Sequence, residues 1–430
     1  MSIAGKRLLI LGGTFASLDL VKMAKSMGVY TIVTDMETSG VAKDLADETA
    51  MVSTADIDAL AQLCKDRKVD GVFCGPSEFN LRNVIRLCEK MGYPCYTDMQ
   101  TWDNCANKNM MKDFCRRYGV DCPAEYDVSE DSPQQVLDRL EYPVIVKPVD
   151  SSSSNGVTVC QNAAELRAAC AEARKVSKSG KIIVEQYIEN GGELFSVRYL
   201  IRDGEMIPCL TIDDYIVDPI TRKSLISGFL HIPSKYTQYF LDSMDANVRK
   251  MLYGMGLRNG TVFMQGLPYK GKIYLVDMGF RLGGGMIFKV TEPLMGVNDM
   301  KMMIRYALGG PMYKNEEITK IKFMDNPKRA GQLTVPLTSG VIARVEGMEA
   351  CAQIEGVTDV LVYHNVGDEI TPSAIGNLAQ LFCRFTMVAD TTAEIVAIAD
   401  KIQQTLRVFD AAGNRLNVIQ TDFARMNNTN

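Results

Sequence analysis

The sequence is poor in histidine and lacks clustered cysteines. It has two histidines, His231 and His364, far apart, and twelve cysteines scattered as singletons without a C-x-x-C pair. A structural zinc site needs clustered thiolates or imidazoles, so that class is excluded. No apolar run approaches the ~18 residues that span a bilayer, so no membrane partner is expected. An excess of positive charge is also missing. The 47 basic and 52 acidic residues are well mixed and leave a net charge of −5. That excludes the one-sided basic surface of a nucleic-acid binder and leaves a small molecule as the expected partner. Two phosphate-binding signatures are absent as well. There is no G-x-x-x-x-G-K-[ST] loop, and Gly12-Gly13, even with Asp35 ending the next strand, fails the G-x-G-x-x-G spacing that dinucleotides require. Met1 to Lys6 leads directly into an apolar strand, so no secretory leader is expected. The cysteines then read as reduced thiols serving as small hydrophobes in a cytoplasmic protein.

The chain has 430 residues, 47% of them hydrophobic. At ~100–200 residues per domain this predicts about three domains. Residues 1–102 alternate short apolar strands with helices that end at glycine, the pattern of an α/β domain with a parallel sheet. Pro94 and the polar stretch from Thr97 to Asn107 predict a boundary. Residues 103–310 follow, with strands at Val144–Val149, Val157–Cys160, Ile182–Ile188 and Phe195–Arg202. Residues about 120–190 read as a mobile α+β lid. Val262–Leu267 and Lys272–Met278 flank a Tyr269-Lys270-Gly271 turn and predict a hairpin. Pro311 to Pro327 reads as a linker, and residues 311–430 as a separate C-terminal α+β domain.

Three pieces carry possible chemistry. The first is Pro143-Val-Ile-Val-Lys147-Pro148, followed by Ser151 to Gly156. A lysine ending an apolar strand must place its ammonium somewhere polar. The loop behind it, with Ser153, Ser154, Asn155 and Gly156, has the short hydroxyls and free backbone N–H groups that cradle phosphate. From these residues alone the segment reads equally as a phosphate cradle or as an exposed hairpin. The second piece is Glu185-Gln186-Tyr187-Ile188 with Glu193. A buried strand that suddenly shows Glu and Gln can bind an adenine edge, and Glu193 a ribose, or the strand is an edge with solvated polar groups. The third is Gln265 and Asp277, side by side across the hairpin, with Arg281 and Gly283-Gly284-Gly285 beyond. Magnesium takes a few hard oxygen ligands beside substrate phosphates. A guanidinium can hold a carboxylate or a developing phosphate charge. Ser17, Ser77 and Glu78 are candidates for a substrate pocket. His231 reads as a loop residue, placed either near substrate or in packing.

The order Lys108, Lys147 with its loop, Glu185–Ile188, Glu193, Gln265, Asp277, Arg281 resembles that of the ATP-grasp superfamily over nearly the whole chain. The nearest resemblance is to L-amino-acid ligases and other carboxylate–amine ligases, with phosphoribosylamine–glycine ligase and carbamoyl-phosphate synthase subunits as further relatives. The resemblance implies an α/β and α+β architecture: a parallel-sheet N-terminal domain, a mobile lid, a central antiparallel sheet and a C-terminal α+β domain. It implies ATP and magnesium, with manganese as the alternative metal. Lys108 and Lys147 then contact phosphates, Glu185, Gln186 and Ile188 bind adenine, and Glu193 binds ribose. Asp277 and Gln265 hold the metal, and Arg281, with Lys147, serves the reacting phosphate. The family commonly has E-x-N-x-R where this chain has Asp277-Met278-Gly279-Phe280-Arg281, and often a glutamate in place of Gln265. The metal end is therefore less acidic than usual. The implied reaction activates a carboxylate as an acyl phosphate and joins it to an amine, releasing ADP and phosphate. A carboxylating or carbamoyl-phosphate-forming enzyme, or a catalytically weak ATP-binding homologue, is the alternative. The resemblance admits a homodimer.

Overall fold

A computed structural model of the chain describes all residues except Met1, 150–155, 218–225, 322, 324–325, 424–425 and 427–430, and except the side chains of Phe15 and Ala16. The N-terminal segment forms a parallel sheet from β1 (Arg7–Leu11), β2 (Tyr30–Thr34), β3 (Glu48–Ala50) and β4 (Gly71–Phe73), in the order β3-β2-β1-β4. Leu8 to Leu11 are all fully buried, as a parallel strand covered on both faces requires. The helix Glu78–Met91 starts at Ser77, whose hydroxyl accepts from the Asn80 N–H at 3.2 Å, and ends at Gly92 with φ +69°.

The polar stretch expected to mark a boundary contains a helix, Met99–Ala106. Asp98 caps it by accepting from the Thr101 N–H at 2.7 Å. Its polar residues face inward: Thr101 and Asn104 are buried, and the Asn104 amide donates to the Met255 carbonyl at 2.9 Å. Polar composition disguised a helix whose buried polar groups are satisfied by another element. Asn107 then caps the next helix, Lys108–Tyr118, with bonds from Asn109 and Met110 N–H at 3.0 and 3.2 Å.

The segment after this helix forms a small antiparallel sheet from β5 (Glu125–Tyr126), β6 (Val144–Pro148), β7 (Thr158–Cys160) and β8 (Ile182–Gln186), in the order β5-β8-β6-β7. The helix Ala163–Val176 covers it, and Leu137, Val144, Val146, Leu166 and Val184 form a core of its own.

The central sheet is built from β9 (Glu193–Arg202), β10 (Glu205–Ile216), β11 (Ser227–Ile232), β12 (Gly260–Tyr269) and β13 (Lys272–Gly279). Three strands of the C-terminal region continue it. β14 (Arg329–Pro336) pairs with β11, and β17 (Val357–Val362) and β19 (Leu381–Ala389) follow, giving the order β13-β12-β9-β10-β11-β14-β19-β17. The sequence reading had set this region apart; its strands share one sheet with the centre because β14 takes up the backbone hydrogen bonds on the free edge of β11. Its helix Thr392–Thr405 and residues such as Leu333, Phe385 and Ile395 nevertheless form a distinct apolar cluster. Two short ladders complete the region: β15 (Gly340–Val341) with β18 (Glu369–Ile370), and β16 (Arg344–Glu346) with β20 (Arg407–Phe409). Among the described residues no helix is long and apolar enough to cross a membrane.

Candidate active site

The small sheet and the helix Lys108–Tyr118 meet around one carboxylate. Glu185, on β8, is buried and ion-paired to both Lys147 and Lys112. Lys112 pairs further with Glu125 Oε1 at 3.0 Å. Burial alone would raise the Glu185 carboxyl. Lys147 and Lys112 outweigh it and hold the group below its ordinary value. The sequence reading found Lys147 and Glu185 but missed Lys112 and Glu125. The available signal was helical spacing: Lys112 lies four residues after Lys108, among the buried positions Met111 and Cys115.

Two further residues expected at the adenine, Gln186 and Ile188, lie at the end of the same strand and just beyond it. Gln186 uses its N–H on the Ala124 carbonyl at 2.8 Å, while Ile188 lies buried just past the end of β8. Glu193 opens β9 and is engaged by Lys235 Nζ at 3.0 Å and by the Tyr236 hydroxyl at 3.2 Å, neither of which sequence reasoning singled out. Ser153, Ser154 and Asn155 lie outside the described residues. Gly156 has φ +76°, and a Cβ there would sit 2.8 Å from Pro148 Cγ, so glycine is needed to fold the chain back against the end of β6.

The hairpin β12–β13 builds the other end. Gln265 and Asp277 are register partners, as expected from their spacing, and Ser196 on β9 extends the row. Burial raises the Asp277 carboxyl above its ordinary value; Lys108 and Arg281 oppose this and Glu78 adds to it. Lys108, first residue of its helix, thus faces Asp277 electrostatically, while Lys112 one turn on serves Glu185. Arg281 donates through Nη2 to Glu78 Oε1 at 2.8 Å and lies over the Phe263 ring at 5.3 Å. Glu78 therefore belongs to the arginine end. Ser77 spends its hydroxyl on the helix cap, and Ser17 is buried beside the Gly12 turn.

Gly279, where the family pattern carries a side-chain ligand, has a physical explanation. Phe263 is its register partner, and a Cβ on Gly279 would lie 2.4 Å from the Phe263 ring. The ring fills the space an asparagine would need. Gly279→Asn is accordingly expected to destabilise the protein by about 1–3 kcal/mol through overpacking. Adding Phe263→Ala should recover part of that loss in urea unfolding; equal losses in both variants would discount the steric account. Among the described residues no group of three or more His, Cys, Asp or Glu side chains could hold a metal by itself. Asp277 and Gln265 offer hard oxygens of the kind magnesium uses when phosphates complete its shell.

His231 corrects the sequence expectation. It lies on β11, not in a loop, and is buried, with Nε2 3.1 Å from Thr392 Oγ1. Burial lowers its imidazole to about 4, against an ordinary 6.5. The unfolded chain therefore binds a proton there below about 6.5 while the folded chain does not until about 4. Its contribution to stability is present above about 6.5 and is lost as pH falls toward 4. In urea titrations between those limits, His231→Gln should flatten this part of the pH dependence; an unchanged slope would count against it.

The arrangement offers cations beside Glu185 and beside Asp277, a carboxylate–amide pair for a metal, and a guanidinium near it. That combination suits a polyphosphate. Comparison with known proteins bears on the same elements. Residues 121–221 match the family model described as D-ala D-ala ligase C-terminus. A formate-dependent phosphoribosylglycinamide formyltransferase of Sulfurisphaera tokodaii is 26% identical over 211 residues, 48% of this chain and 53% of that protein. The chain thus aligns with about half the length of such curated relatives. The L-amino acid ligase of Bacillus licheniformis superposes with a TM-score of 0.76 at 20% identity, covering 95% of this chain and 99% of the other. The biotin carboxylase domain of Hydrogenobacter thermophilus 2-oxoglutarate carboxylase, solved with MgADP and bicarbonate, gives 0.74 at 20% identity over 96% and 91%.

Proposed function

From an ATP-grasp fold as premise, we propose that this chain is an ADP-forming ligase that joins a small carboxylic acid to an amine at the expense of ATP. The observation that carries the reading is the ordered charge line: Glu185 with Lys147 and Lys112 at one end, Asp277 with Lys108 and Arg281 at the other. The names of the similar ligases support the reaction class. In this reading Glu185, Gln186 and Ile188 receive the adenine, Glu193 the ribose, and Lys147, Lys108 and the segment ending at Gly156 the phosphates. Ser153, Ser154 and Asn155 belong to that segment.

Asp277 and Gln265 would hold magnesium, or manganese, which neutralises phosphate charge when bound. A carboxylate oxygen of the substrate attacks the γ-phosphorus, and the bond to the β–γ bridging oxygen breaks with its electron pair leaving on ADP. The amine then attacks the acyl carbon, loses a proton, and inorganic phosphate departs. Arg281 faces the charge that moves during transfer. The β5–β8 unit, acting as a lid, excludes water that would hydrolyse the acyl phosphate. A cytoplasmic setting and a homodimer fit this reading.

A panel of carboxylic acids crossed with amines, assayed for ADP release and followed by mass spectrometry, is expected to yield an amide whose formation requires both. Release dependent on bicarbonate instead would favour a carboxylating enzyme. ATP binding without any ADP formed would favour a catalytically weak homologue.

A further inference from the structure

Two cysteine pairs lie at the ends of helices, and one of them borders the Glu185 network. Cys115 and Cys122 are seven residues apart. Cys115 is in the last turn of the helix Lys108–Tyr118. The Val120 N–H returns to its carbonyl at 2.9 Å across Gly119, which has φ +67°. That bond closes a Schellman turn, which folds the following chain back along the helix end. The Cys115 thiol thereby donates to the Cys122 sulfur. Cys115 is fully buried and Cys122 half-buried. The bond from Cys115, then Lys112 and Arg116 on the same helix, outweigh burial and Glu125 and hold the Cys122 thiol below its ordinary value. Cys88 and Cys95 repeat the arrangement across Gly92, with the Tyr93 N–H on the Cys88 carbonyl at 3.0 Å. There the charge acting on the second sulfur is the Asp98 carboxylate, which opposes a thiolate.

Cys122 sits where the chain leaves the helix for the small sheet. On one side the Asp121 carbonyl accepts from the Leu275 N–H at 2.8 Å, which anchors the segment to β13. On the other, the Ala124 carbonyl accepts from the Gln186 N–H, and Glu125 is the register partner of Glu185. Glu125 also pairs with Lys112 and with Arg116, each at 3.0 Å, the same two cations that act on Cys122. A shift at Cys122 is thus passed through Ala124 and Glu125 to Gln186 and Glu185.

We propose that Cys115 and Cys122 form a reversible oxidation site, at which a peroxide converts the dithiol to a disulfide and weakens nucleotide binding at the adjoining Glu185 end. The effect on nucleotide rests on the ligase reading; the disulfide itself does not. The half-buried Cys122 thiolate attacks one peroxide oxygen and the O–O bond breaks. The departing hydroxide takes up the proton that Cys122 released and leaves as water. The Cys115 sulfur then attacks the sulfur of the Cys122 sulfenic acid. The S–S bond forms, the S–O bond breaks, and hydroxide takes the Cys115 proton as a second water. A thiolate within reach of oxidant and beside a resolving thiol is the usual makeup of such sensors, and disulfides in reducing compartments are of this transient kind. Bonded sulfurs lie about 2 Å apart, well inside hydrogen-bond distance, so closure draws Cys122 toward the helix and strains the contacts of Ala124 and Glu125 with β8.

To test this, the full chain is treated with hydrogen peroxide, its remaining thiols are alkylated, and its peptides are mapped by mass spectrometry. A Cys115–Cys122 link that forms ahead of Cys88–Cys95 and is lost on adding dithiothreitol is expected. Cys115→Ser should leave Cys122 as a sulfenic acid that dimedone traps. MgATP affinity, by calorimetric titration, should fall ~10-fold on oxidation as the binding-competent fraction drops, and return with dithiothreitol. Cys122→Ser should bind MgATP as the reduced chain does and ignore the same peroxide dose. Absence of the Cys115–Cys122 link, a Cys88–Cys95 link formed first, or equal MgATP affinity in the linked and reduced chains would each overturn the proposal. ADP release with pairs of acid and amine separates the two readings. A linked chain that loses MgATP, with no ADP formed by the reduced chain on any pair, supports the switch and sinks the ligase. ADP release that is the same before and after complete linkage supports the ligase and sinks the switch.

Discussion

Asp277→Asn is expected to cut amine-dependent ADP release by about 100- to 1,000-fold, the usual cost of removing one preorganised charge from a reacting centre. It should do so without loss of stability. The Asp277 carboxyl is raised by burial, so its ionised form is disfavoured in the folded chain. A carboxyl raised on folding lowers stability as pH climbs through the window between its ordinary value of 3.8 and its folded value. Asparagine keeps the shape and removes that charge, so the midpoint of urea unfolding at pH 7 should stay level or rise. Activity and stability would then move in opposite directions, the mark of a group kept for chemistry. Lys147→Ala should lose activity on a similar scale. If neither substitution changes ADP release, the ligase mechanism is wrong; if Asp277→Asn destabilises, the carboxylate has a structural partner that the geometry does not show.

The second large effect is on stability. Glu185→Ala leaves Lys112, only 3% exposed, with Glu125 alone, and leaves Lys147 without its carboxylate. Breaking a buried ion pair from one side costs about 3–5 kcal/mol, because the remaining charge stays desolvated. Pairing Glu185→Met with Lys112→Met should recover much of that, since the deeply buried ammonium is removed with its carboxylate, while Lys147 is 28% exposed and Glu125 keeps Arg116 at 3.0 Å. The pH dependence carries the same sign. Glu185 is held below its ordinary 4.5, so its contribution is present above that value and is lost as pH falls below it. Denaturant unfolding of the unaltered chain and the two variants, followed across pH 3 to 7, checks both statements. A double variant no more stable than Glu185→Ala would contradict the account.

Much of this architecture was legible because local rules agree with the fold. Glycine-stopped helices and short apolar strands marked the N-terminal parallel sheet, and the strand expected from Ile182 begins there. The register of Gln265 with Asp277 followed from the turn between their strands. Other features were hidden. The helix Met99–Ala106 is polar in composition, and the signal for His231 as a core residue is absent from a lone histidine between Leu230 and Ile232.

By itself, the sequence determined which side chains are available and in what order: Lys108, Lys147, Glu185, Glu193, Gln265, Asp277 and Arg281. It also determined that Gly279 brings no ligand. Tertiary structure decided how they combine. It gave Glu185 a second lysine in Lys112, placed Phe263 in the space beside Gly279, and set Arg281 against Glu78. It also carried the strands of the C-terminal region into the central sheet. Order along the chain follows from covalent connectivity and local propensity. Charge pairing and burial depend on strands and helices distant in sequence, which meet only when the backbone satisfies its hydrogen bonds and the apolar faces close.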